Sequence, residues 1–221
     1  MAVRPRAPAI PTGTDPGGRL RAARRIRPHL QAHGYAPAGI DPQAPHGPDY
    51  HQMVFEQYTS AEPVAGIVAC TSLRHVADLD DVLDRMAGAV VPGGVVVVVE
   101  WAWERFDDAT AQWCFARLPT GDGDGWLDRH REAWQASSRP WDGYIQTWSQ
   151  NEHLHTGQDM MRGLRARFDT YLLEEGPYFF CDLADVTAAH EQAAIDSGDI
   201  QANCIRYIGY KLRRCVAGIH A

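Results

Sequence analysis

No hydrophobic run in this sequence approaches the ~18 to 20 residues that a bilayer-spanning helix needs, and the arginine-rich start has no apolar core of the kind a secretion signal carries. A cytoplasmic protein without a membrane partner is the expectation. Cysteine is scarce: Cys70, Cys114, Cys181, Cys204 and Cys215 are an odd number, with no C-x-x-C pair. That excludes a disulfide framework and a zinc knuckle and predicts reduced, mostly buried thiols. Lysine occurs once, at Lys211, and the net charge of −7 offers no general electrostatic grip on nucleic acid, which is not expected as a partner. His153-x-His155 lacks a placed third ligand, so no metal is expected either.

What remains is globular composition. The 221 residues are 45% hydrophobic and 22% charged, which suits one α/β domain spanning residues 1–221 and argues against general disorder. Charge is uneven. Residues 1–30 hold seven arginines against a single acid, Asp15, a pattern that a solvated helix face explains more simply than a nucleic-acid arm or a targeting peptide.

Val64 to Cys70 reads as a short buried strand followed by the small polar pair Thr71-Ser72. Next, Leu79, Val82, Leu83, Met86, Ala87 and Val90 recur at helical spacing, with Asp80, Asp81 and Asp84 loading the N-terminal turns. Pro92-Gly93-Gly94 reads as a turn that stops the helix, and Val95 to Val99 is a β-branched run ending at Glu100. Strand, helix and strand make a βαβ unit with a right-handed crossover. Tyr35 to Ile40 and His51 to Glu56 are further candidate strands. Asp107 to Leu118, Trp126 to Ala136, Trp141 to Gln150 and Gly157 to Ala166 read as helices over one end of the sheet, a helical insert or lid over 105–166. Phe168 to Glu174 and Asn203 to Lys211 alternate apolar and polar residues around a helix at Asp185 to Ser197, predicting an antiparallel pair at the sheet edge. The fold class is therefore α/β: a doubly wound, mostly parallel sheet with helices on both faces and an antiparallel edge strand.

In such a sheet, ligands bind outside the carboxyl ends of the strands. Asp41 stands at one end, either as a partner for ribose hydroxyls or as an Asp-Pro turn; Cys70-Thr71-Ser72 stand at a second. Glu100 and Trp101 stand at a third, where a carboxylate closing an all-valine strand calls for a partner unless the end is simply solvated.

Thr71-Ser72-Leu73-Arg74-His75-Val76, the helix from Leu79 to Val90, Pro92-Gly93-Gly94 and the strand through Glu100 together resemble the second half of a class I S-adenosylmethionine-dependent methyltransferase. The resemblance is good over 35–105 and looser elsewhere. It implies a Rossmann-like methyltransferase fold, S-adenosylmethionine as cofactor and methyl transfer to a small-molecule acceptor. It also implies a ribose-binding role for Asp41, 23 residues after Gly18, adenine contact at Phe55 and Glu56, and the methionine part near Gly13, Gly17, Gly18, Cys70 and Thr71. His153, His155 and Tyr178 are the candidate general bases, in or near the insert and its return strand. A homodimer is one expected assembly.

Two departures from the family's pattern matter. The start, residues 1–34, is atypical: Pro5, Pro8 and Pro11 interrupt the place of the first strand, the glycines of 13–18 lack the family's G-x-G-x-G spacing, and Pro28 sits inside the following helix. No regular central strand is expected over 1–18. Arg74 also replaces the first histidine of the family's string. These departures keep a non-catalytic binding or partner subunit open as the alternative. A nucleotide-binding oxidoreductase is disfavoured by the same altered glycine segment.

Overall fold

A computed structural model describes residues 9–11, 19–120 and 125–211. In chain order its strands and helices are β1 (Ala9–Pro11), α1 (Arg19–Ala32), β2 (Ala38–Ile40), β3 (Tyr50–His51), β4 (Val64–Cys70), α2 (Leu79–Ala89), β5 (Val90–Trp101), α3 (Asp108–Phe115), α4 (Trp126–Ser137), α5 (Trp141–Asn151), α6 (Gly157–Arg165), β6 (Asp169–Gly176), α7 (Ala188–Asp196) and β7 (Cys204–Tyr210). The seven strands form one sheet in the order β3-β2-β1-β4-β5-β7-β6. All neighbours from β3 to β5 are parallel, and β7 runs antiparallel to both β5 and β6. Strand order reverses between β1 and β4. Right-handed crossovers leaving that point in opposite directions place α1 and α2 on opposite faces.

The period read from the sequence sets the main core. Leu79, Val82, Leu83 and Met86 are the buried face of α2, and they pack with Ile67, Val96 and Val98 of the sheet and with Met160, Met161 and Leu164 of α6. Asp78 caps α2 by accepting the N–H of Asp81, and acids in the first turn complement the helix dipole. A second cluster, rich in aromatic rings, gathers Trp101, Phe106, Trp141 and Phe179 with Ala111, Cys114 and Leu127. Three of the five thiols, Cys70, Cys114 and Cys204, are buried and Cys181 is exposed.

Three sequence expectations change. Residues 9–11 do enter the sheet centre: β1 pairs with β2 over all three residues but with β4 only through Ala9 and Ile67. Successive N–H groups of a strand point to alternate neighbours, so Pro11 at its end removes a single bond, and three residues suffice to bridge β2 and β4. The rest of 1–18 lies outside the described residues. The expected strand His51 to Glu56 pairs only through Tyr50–His51, because the backbone then turns and Phe55–Gln57 form a 3₁₀ turn that buries the Phe55 ring. Pro92-Gly93-Gly94 does not separate helix from strand; it lies inside β5. Between the pairs Val64↔Val90 and Gly66↔Val95, β5 advances five residues while β4 advances two. The surplus bulges, with Gly93 at φ +78°, and Lys211 beyond β7 holds it through backbone bonds to Gly93 and Gly94. A Cβ at Gly66 would stand 2.8 Å from the Val95 carbonyl oxygen, which explains a glycine within an apolar strand.

Candidate functional site

Three strand ends open on the same side of the sheet. Behind β2, Asp41 is 5% exposed. Its carboxylate accepts the N–H of Gln43 and its carbonyl that of Ala44, while its own N–H donates to the His51 carbonyl. Local geometry is thus the Asp-Pro turn, and that turn holds a carboxylate at the strand end. Phe55 is buried in the main core, with Glu56 partly exposed on the same turn.

Behind β4 the backbone is unusual. Thr71 continues the ladder by donating to the Val99 carbonyl at 2.7 Å, yet sits at φ +50°, a left-handed conformation that β-branched residues rarely adopt. Glu100, at the end of β5, then captures the chain. Its Oε1 accepts the N–H groups of Ser72 and of Leu73 (2.6 Å), and its Oε2 accepts from the Arg74 guanidinium at 2.9 Å. Both partners of this ion pair are buried, their side chains 4% and 1% exposed. Arg74 also lies 5.7 Å from the centre of the Trp101 ring, a cation–π contact. Two hydroxyls in this loop, Thr71 Oγ1 and Ser72 Oγ, are buried with no hydrogen-bond partner. Burial, with lesser contributions from Glu100 and Cys204, pushes the Cys70 thiol up to about 12, so it stays protonated and is no nucleophile at neutral pH.

The candidate bases are dispersed. His155 clips the α5–α6 connection to the loop after β4: its N–H donates to the Arg74 carbonyl, its Nε2 donates to the Val76 carbonyl at 2.8 Å, and its own carbonyl accepts from the Trp103 indole. His153 is exposed at φ +53° after α5. Tyr178 is half-buried at the end of β5, stacked on Trp101. Gly13, Gly17 and Gly18 lie outside the described residues.

Sequence reasoning missed several partners. Glu191 of α7, wholly buried, accepts the N–H groups of Tyr178, Phe179 and Phe180, which fixes Tyr178 in place. His130 is buried among Trp126, Tyr144 and Trp148, with Nδ1 3.0 Å from the Tyr144 hydroxyl. Around Trp101, the half-buried rings of Trp126 and Trp148 stand 5.2 and 6.0 Å away. The concentration of tryptophan after β5 was the signal for this aromatic cluster; nothing in local spacing pointed to its polar members. Among the described residues, no three His, Cys, Asp or Glu side chains gather as a metal site, and no helix is long and apolar enough to cross a membrane.

A seven-stranded sheet of this order, parallel except for a reversed β7 beside β5, with polar groups at the carboxyl ends of β2, β4 and β5, defines the class: the chain has the fold of class I S-adenosylmethionine-dependent methyltransferases. No family model and no curated protein sequence matches it. Among solved structures it is similar to a putative S-adenosylmethionine-dependent methyltransferase from Listeria monocytogenes, with 12% identity, a TM-score of 0.54 and coverage of 95% of this chain and 92% of that one. It is also similar to the N-methyltransferase NodS from Bradyrhizobium japonicum WM9 in complex with S-adenosyl-L-homocysteine, with 13% identity, a TM-score of 0.51 and coverage of 95% and 79%. A third likeness is to a geranyl diphosphate methyltransferase in complex with GPP and sinefungin, with 14% identity, a TM-score of 0.52 and coverage of 96% and 73%.

Proposed function

We propose that this protein is an S-adenosylmethionine-dependent methyltransferase acting on a small-molecule acceptor. The observation that carries the reading is the set of polar groups at the ends of β2 and β4, the two strands that flank β1 where strand order reverses: the Asp41 carboxylate and the buried, unpartnered hydroxyls of Thr71 and Ser72. Such groups fit a ligand that has hydroxyls at one end and charges at the other. Asp41 would accept from the ribose hydroxyls, Phe55 and Glu56 would lie at the adenine, and Cys70 and Thr71, with Gly13, Gly17 and Gly18, at the methionine part. When bound, the cofactor supplies a methyl group on a sulfonium. The protein holds the acceptor in line with it and excludes water, a task for residues 105–166 as a lid rich in aromatic rings.

For an acceptor that must lose a proton, the candidate bases stand differently. His155 already donates through Nε2, which leaves Nδ1 to take a proton; Tyr178 is held against Trp101; and His153 stands in solvent. The small-molecule reading draws support from the geranyl diphosphate enzyme among the structural neighbours. The altered glycine spacing of 13–18 favours, as the second reading, a non-catalytic subunit of the same fold. Calorimetry with S-adenosylmethionine and S-adenosylhomocysteine separates the two. Micromolar binding is expected, and its absence at millimolar ligand would move the assignment to the non-catalytic subunit.

A further inference from the structure

We propose that the methyl acceptor is a flat aromatic compound with a neutral, hydrogen-bond-accepting oxygen, held on the surface that Trp126, Trp148 and Tyr178 form at the end of β5. This rests on the cofactor reading above and deepens it by naming the class of acceptor.

The rings gather at one strand end. Trp101 closes β5 at its carboxyl end, on the side of the sheet where ligands bind, and is itself buried. Trp126 of α4 touches Trp101 and His130, with ring centres 5.2 and 5.7 Å away. Trp148 of α5 touches the same two residues, at 6.0 and 4.5 Å. Tyr178 stacks on Trp101 from a third direction. Trp126, Trp148 and Tyr178 are all half-buried, so each keeps part of its ring open. Aromatic rings stack or meet edge to face with further rings, and such a surface suits a flat aromatic ligand.

The indole nitrogens give the second observation. Four of the seven tryptophans spend their N–H within the protein: Trp101 on the Asn203 amide oxygen, Trp103 on the His155 carbonyl, Trp134 on that of Arg139 and Trp141 on that of Phe106. Trp113 lies elsewhere, with Arg117 over its ring. Trp126 and Trp148 donate to no protein group among the described residues, and neither nitrogen is sealed in the interior. The two unspent donors therefore belong to the two tryptophans that flank Trp101. An indole N–H only donates, so its partner is an acceptor such as a ligand oxygen.

Charge narrows the class further. Aromatic rings also attract cations, but the acids bordering the cluster are engaged: Glu100 with Arg74 and two backbone N–H groups, Asp128 with Arg131, and Glu191 with three backbone N–H groups. An ammonium would meet two N–H donors and no carboxylate. Arg74 and Arg131 are engaged by the same acids, so a carboxylate or diphosphate would find no counter-ion. A neutral phenol matches both the rings and the donors. In the transfer, the carbon–sulfur bond of the sulfonium breaks as the carbon–oxygen bond forms, the cofactor becomes the thioether, and the hydroxyl proton goes to solvent.

The test uses 2-naphthol as the neutral aromatic probe, with 2-naphthylmethylammonium and naphthalene-2-carboxylate as its charged counterparts. In protein carrying isotope-labelled tryptophan, 2-naphthol should move the indole N–H signals of Trp126 and Trp148 and leave those of Trp101 and Trp141 in place. Both charged compounds should bind at least about tenfold more weakly. Trp126→Phe and Trp148→Phe keep a ring but delete the donor, and each should weaken 2-naphthol roughly threefold to tenfold without lowering the melting temperature. Should a variant fail to fold, the wild-type shifts and the three-ligand comparison decide alone. Tighter binding of the ammonium or the carboxylate, or phenylalanine variants that bind like the wild type, would overturn the proposal. A protein that binds S-adenosylhomocysteine but not 2-naphthol would overturn it while leaving the cofactor reading intact. Binding of 2-naphthol without S-adenosylhomocysteine would overturn the cofactor reading and, with it, the role of this surface in holding a methyl acceptor.

Discussion

The ring of Tyr178 lies within 13° of parallel to the indole of Trp101, their centroids 5.9 Å apart. This contact joins the β6–α7 connection to the end of β5, and a carboxylate from a third element sets it. Glu191 binds three consecutive backbone N–H groups, two at 2.7 Å and one at 3.1 Å. Glu191→Ala would leave those donors unsatisfied in a buried place and should lower stability by about 2–4 kcal/mol. Glu191→Gln keeps one acceptor oxygen and should lose about half as much. Urea unfolding followed by tryptophan fluorescence checks both, and a loss under ~0.5 kcal/mol for the alanine variant would contradict this role.

The same residue has a distinctive pH signature. Burial raises the Glu191 carboxyl above its ordinary value in spite of the three N–H donors, so the folded state holds that proton more tightly than the unfolded state. Its contribution is present in full below the unfolded value near 4.5 and is lost as pH rises through the folded value. Glu175 and Asp159 act in the opposite sense. Hydrogen bonds from Arg105 and Thr156 lower them, so their contribution is present above the unfolded values of 4.5 and 3.8 and is lost as pH falls through the folded ones. Comparing wild type with Glu191→Gln from pH 4 to 7, the wild type should lose stability relative to the variant as pH rises. A flat difference would show that the Glu191 proton is held equally in both states.

Arg74 and Glu100 should behave as a coupled pair. Removing either partner leaves a buried charge uncompensated, and Arg74→Met or Glu100→Leu should each cost about 3–5 kcal/mol. The double variant should fall short of the sum by more than about 1.5 kcal/mol. Additive losses in a double-mutant cycle would mean that the two charges are stabilised separately. The double variant should not regain wild-type stability, because the Ser72 and Leu73 N–H groups lose their acceptor with Glu100.

Thr71→Gly relieves a left-handed conformation at a β-branched residue and also frees the unfolded chain. The first effect is the larger, so a net gain of up to about 1 kcal/mol in thermal or urea unfolding is expected. Destabilisation would show that the Thr71 side chain contributes packing that outweighs its strain.

Asp41→Ala should weaken cofactor binding by about 1–3 kcal/mol through lost charge-assisted hydrogen bonds. Calorimetry reads this directly. An unchanged affinity would assign Asp41 to its turn alone, since its carboxylate already accepts the Gln43 N–H.

Much of the fold was legible because it is written locally. The strand Val64–Cys70 and the buried face of α2 emerge from spacing within a dozen residues, since the periods of strand and helix decide which side chains face the core. The insert helices and the alternating segments that became β6 and β7 were legible for the same reason. Prolines and glycines misled where neighbouring strands overrode them: three residues of the proline-rich start were enough to bridge β2 and β4, and Lys211 kept Gly93 and Gly94 inside a strand.

The site divides along the same line. By itself the sequence determined that polar residues stand at the strand ends, Asp41, Thr71, Ser72 and Glu100 among them, because each apolar run here gives way to a polar residue where its strand leaves the core. Only the tertiary structure decided what those residues do. It joined Arg74 to Glu100 across 26 positions, brought Glu191 beneath Tyr178 and Phe179, and turned His155 into a clip on the Val76 carbonyl. Hydrogen bonds and buried ion pairs depend on positions in space that no local period encodes, and their partners meet only when β4, β5 and α7 have packed.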